Sequence, residues 1–61
     1  MTKDQAERLE CRLLESKIDL DNIIMHCERL GDVCLTVDAT HTRDNIVSMI
    51  RKLKERKTED A

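Results

Sequence analysis

Residues 27–42 read CERLGDVCLTVDATHT, and the fold turns on whether this stretch joins two helices or breaks them apart. Gly31 is the only glycine in the chain and stands where a left-handed residue would close a helix. Asp32 follows it as an N-cap for whatever comes next. Leu30, Gly31 and Asp32 therefore read as a helix–helix turn. Beyond them, Val33, Thr36, Val37, Thr40 and Thr42 are β-branched, a poor helix sequence by propensity. Local preference alone would make 33–42 a loop or short strand and begin the next helix at Thr42. Yet a continuous helix over 33–58 puts Leu35, Ala39, Thr42, Ile46, Met49 and Leu53 on one heptad-spaced stripe.

Size complementarity favours the continuous helix. Folded back at Gly31, the chain sets Cys27 against Leu35, Ile23 against Ala39, Leu20 against Thr42 and Ser16 against Ile46. Each pair matches a small residue with a large one, the usual way to fill a tight interhelical core. Leu13 with Met49 and Leu9 with Leu53 complete the open end. The sequence thus predicts an all-α, antiparallel two-helix hairpin forming a single domain. The first helix covers about 3–30, capped by Thr2 or Asp4, and the turn is 31–32. The second covers about 33–58, either continuous or briefly distorted at 36–42, and 58–61 form a frayed tail. Each helix would be about 40 Å long.

Composition agrees with this. The chain has 61 residues, 39% of them charged, with no aromatic residue, no proline and one glycine. That mixture excludes most β architectures, which need turn residues and aromatic or β-branched runs at regular spacing. A domain this small buries only about 60% of its unfolded surface, so disulfides, a metal or oligomerisation usually supplement its core. Three cysteines, charges at Lys3 and Asp4, and the lack of a long apolar run predict a cytoplasmic protein with reduced thiols and no membrane association.

The first helix is apolar on two sides. Ala6, Leu9, Leu13, Leu20, Ile23, Cys27 and Leu30 line one, with Ser16 as its only polar member. Cys11, Leu14, Ile18 and Met25 line the other, and Ile24 sits on a flank. On the second helix Val33, Val37, Val47 and Ile50 lie off the expected seam. A hairpin covers one side only, so the second stripe predicts a partner. The expectation is a homodimeric four-helix bundle with Cys11, Leu14, Ile18 and Met25 at the dimer or partner interface. Cys11 would approach its twin there, open to an adventitious disulfide on oxidation. Asp21 and Asn22 interrupt the stripe, and Glu7 and Arg29 bound it, which would set its register. The architecture is similar in shape to small dimeric helical-hairpin regulators of the Rop type, and a likeness of shape carries no function with it.

Residues suited to chemistry are few. His26 and Cys27 are neighbours on a helix and point in different directions, so they form no catalytic dyad. Asp19 and Asp21 likewise do not share a face. No glycine-rich loop or pocket-sized core offers a place for a cofactor or a small substrate. Cys27, Cys34, His26 and His41 collect near the turn but lack the close pairs that structural zinc sites use. The prediction is therefore no enzyme, no cofactor and no metal.

The basic end is the remaining feature. Arg51, Lys52, Lys54, Arg56 and Lys57, less Glu55, give 51–57 a charge of +4. Cations there complement the helix dipole, and they could also contact structured nucleic acid or an acidic protein surface. The formal charge of −2 weighs against a protein built mainly for duplex binding, and the lack of aromatics against base stacking. The predicted function is a small non-enzymatic dimeric interaction protein, a regulator or adaptor acting through protein–protein contacts. Size alone suits a phage or mobile-element accessory protein. The alternative is a nucleic-acid-binding dimer using the basic end, and a third reading is a heteromeric subunit whose second stripe meets a foreign helix.

Overall fold

A computed structural model describes the backbone of residues 1–59 and the side chains of 1–56. Two helices, α1 (Lys3–Leu30) and α2 (Val33–Glu59), pack against each other as an antiparallel pair about 46 Å long, and no strand occurs among the described residues. The tail expected at 58–61 is helical through Glu59, and Asp60 and Ala61 lie outside the described residues.

Local chemistry fixes the ends. Thr2 caps α1 in a reciprocal box: the Gln5 N–H donates to Thr2 Oγ1 at 3.1 Å, and the Thr2 N–H donates to Gln5 Oε1 at 2.9 Å. Gly31 closes the helix at φ 74°, and the N–H groups of Gly31 and Asp32 donate to the carbonyls of Glu28 and Cys27. The Asp32 carboxylate then accepts the Leu35 N–H at 3.0 Å, capping α2. Two residues thus end one helix and begin the next.

No distortion appears at 36–42, where α2 is unbroken. The hydroxyls of Thr36, Thr40 and Thr42 donate to the carbonyls of Asp32, Thr36 and Asp38, four residues back, at 2.8–2.9 Å. Each threonine satisfies its hydroxyl within the helix that its branching disfavours, so the helix runs through this stretch with those hydroxyls paired.

The covered seam differs from the expected one. It follows Ala6, Glu10, Leu13, Lys17, Leu20, Ile24 and Cys27 on α1, and Thr36, Ala39, Arg43, Ile46, Ile50 and Leu53 on α2. Ile24 is 8% exposed while Ile23 is 48% exposed; Ile50 is 7% exposed while Met49 is 50% exposed. Ser16, Leu30, Leu35 and Thr42, assigned to the core from the sequence, are exposed as well. Most of the small-against-large layers drawn from the sequence therefore do not form within one hairpin. The correction has a simple cause. A single neighbouring helix covers a narrow strip, whereas the apolar stripe on each helix is wider than that strip. The pair settles on one edge of the stripe, where Glu10, Lys17 and Arg43 can cover the seam with their stems and keep their charges in water.

Candidate interaction surface

Four side chains picked out from the sequence, Cys11, Leu14, Ile18 and Met25, all lie exposed on α1. Each follows a seam residue in the chain, respectively Glu10, Leu13, Lys17 and Ile24. The corresponding positions of α2 carry the exposed Val33 and Val37 and the half-buried Val47, interrupted by Asp44 and Arg51. An ion-paired chain lies between these rows. Lys17 Nζ meets Asp21 Oδ2 at 2.9 Å, Asp21 Oδ1 meets Arg43 Nη1 at 3.5 Å, and Arg43 Nη2 meets Asp44 Oδ1 at 3.2 Å. The hydrogen bond from Lys17, with a smaller contribution from Arg43, holds the Asp21 carboxyl below its ordinary value. The hydrogen bond to Asp44 raises the Arg43 guanidinium above its ordinary value.

A second apolar set was not recognised from the sequence as surface. Leu9, Ile23 and Leu30 on α1 and Leu35 and Met49 on α2 are exposed, and each comes one residue before a position in the seam's heptad rows. Stepping back one residue turns a helix by about 100°. Because the helices run antiparallel and face each other, that step leads to the same side of the hairpin on both. These five therefore share one side, opposite the side carrying the ion-paired chain. The clue was present in the sequence as the excessive width of the stripe.

Elsewhere the surface has little chemistry. Cys11 and Cys34 are exposed free thiols, and Cys27 is buried in the seam, the place expected for it. Among the described residues no group of three or more His, Cys, Asp or Glu comes within metal-binding reach. Asp4, Glu7, Arg8, Cys11, Arg12 and Glu15 outline an open ledge along α1 that encloses nothing. Arg51, Lys52, Lys54 and Arg56 are exposed but radiate around α2, so no single face collects them, and the Lys57 side chain lies outside the described residues. No described helix is long and apolar enough to cross a membrane.

Fold and surface together define the class: a two-helix, all-α hairpin with apolar residues left on both flanks of its seam. No family model, curated protein or solved structure matches the chain.

Proposed function

We propose that the chain is a small non-enzymatic interaction protein, a regulator or adaptor that works as a homodimer of hairpins and contacts a protein target. One observation carries this reading. Six hydrophobic side chains are buried in the hairpin, whereas eleven large ones are exposed among the described residues. A chain this small has a total stability of about 3–9 kcal/mol. Covering one exposed Leu, Ile or Met contributes about 1.5–3 kcal/mol, so covering a few rivals that total. Such a hairpin gains more from association than from any rearrangement within itself. Nothing in the splayed basic end favours the nucleic-acid alternative over this one.

Sedimentation equilibrium of the full chain tests the proposal. The expected mass is that of a dimer over the micromolar range. A fully helical species at the monomer mass at every concentration would overturn it.

A further inference from the structure

We propose that a second copy of this chain packs on the side formed by Leu9, Ile23, Leu30, Leu35 and Met49, with the two hairpin turns at opposite ends. This rests on the dimeric reading above and assigns the dimer to a face other than the Cys11–Met25 stripe. Three observations support it.

Both helices contribute to this side. Joined to their seam neighbours, its residues complete stripes with alternating three- and four-residue spacing: 6, 9, 13, 16, 20, 23, 27 and 30 on α1, and 35, 39, 42, 46, 49 and 53 on α2. No charged residue falls in either stripe. Stripes of that period are what a four-helix core needs from each member. The opposite side adds Val33 and Val37 of α2 to its α1 stripe, but it is crossed by the charges of Lys17, Asp21, Arg43 and Asp44.

The charges bordering this side match a second copy in one orientation only. Arg12 and Asp19 edge it on α1, and Asp38 and Lys52 edge it on α2; all four are exposed and form no ion pair among the described residues. A two-fold axis perpendicular to the helices lays α1 antiparallel on α1 and α2 antiparallel on α2. An axis near Ser16 brings Arg12 of each copy to Asp19 of the other, and an axis near Asn45 brings Asp38 to Lys52. Those two levels differ by about one helical turn, and an axis midway between them leaves each pair offset by about one turn, a span that the long Arg12 and Lys52 side chains bridge. Turns at the same end would instead pair α1 with α2 at the register shown by the Asp21–Arg43 contact, setting Arg12 against Lys52. Like charges disfavour that arrangement. The Cys11, Leu14, Ile18 and Met25 stripe stays outside the dimer, available to the protein target.

Sedimentation equilibrium of the full chain and its variants tests the assignment. I23E/L35E is expected to raise the dimer dissociation constant by more than about a hundredfold, while L14E/I18E leaves it within about threefold. D19R is expected to weaken the dimer and R12D/D19R to restore it, a recovery that misfolding cannot produce. A dimer that survives I23E/L35E and falls apart in L14E/I18E would overturn the face while leaving the dimer intact. Failure of R12D/D19R to rescue D19R would overturn the orientation. A wild-type chain that is monomeric throughout would remove the dimeric reading and this assignment with it.

Discussion

At the end away from the turn, Ala6, Leu13, Ile50 and Leu53 are buried as one cluster with Ile46 packed against it, whereas beside Gly31 only Ile24 and Cys27 are buried. Opposite that pair α2 offers Thr36, Ala39 and Thr40, all small and half-buried. The larger residues of this half, Ile23, Met25, Leu30, Val33, Leu35 and Val37, are exposed. One end of the hairpin is held by its core. The other is held by its caps and by chain connectivity. A helix pair can therefore be complete at one end and in need of cover at the other, where six exposed large apolar residues surround only two buried ones.

The largest expected effect separates the two ends directly. Leu53→Ala removes a side chain from the buried cluster and should lower stability by about 2–5 kcal/mol. Leu35→Ala, at a position 52% exposed, should cost less than about 1 kcal/mol in dilute protein, where the protomer stands alone. Urea unfolding at low concentration compares them, and equal losses would break the contrast. Raising the protein concentration should enlarge the Leu35→Ala effect and leave that of Leu53→Ala nearly unchanged.

Next in size is the turn. Gly31 sits at φ 74°, and a Cβ placed there would meet nothing within 4 Å. Gly31→Ala should therefore cost about 1–2 kcal/mol from backbone conformation alone. Thermal denaturation followed by circular dichroism would measure it. Because so little else holds this end, hydrogen exchange should quicken first around residues 24–40 and spare the open-end cluster.

The smallest effect belongs to the ion-paired chain in the middle. The Asp21 carboxyl is lowered from 3.8, so its stabilising contribution is present above that value and is lost as the pH falls through the folded value. Asp21→Asn should flatten the fall in melting temperature between about pH 5 and about pH 2 while changing little at neutral pH. An unchanged acid profile would show that the waist between the two ends carries no electrostatic contribution.

Much of the hairpin was legible in the residues themselves. Thr2, Gly31 and Asp32 act within four residues of their own positions, and the structure uses all three as caps. The exposure of Cys11, Leu14, Ile18 and Met25 followed from periodicity, because residues off any seam of one helix pair must face water. The remainder was hidden for a physical reason. A helical wheel gives the width of an apolar stripe, and it does not say which edge a neighbour will cover. Ile23 and Ile24, or Met49 and Ile50, stand at opposite edges of that width, and which of each pair is covered is fixed only when the second helix takes its place.

By itself the sequence determined that the chain is helical, where it turns, and that it carries more apolar surface than two helices can hide. These depend on local hydrogen bonding and on residue spacing. Only the tertiary structure decided the rotation of α1 and α2 about their axes, the pairing of Asp21 with Arg43, and the gathering of Leu9, Ile23, Leu30, Leu35 and Met49 on one side. Rotation is settled by the packing of both helices at once, a balance of buried area and solvated charge that no single stretch of chain contains.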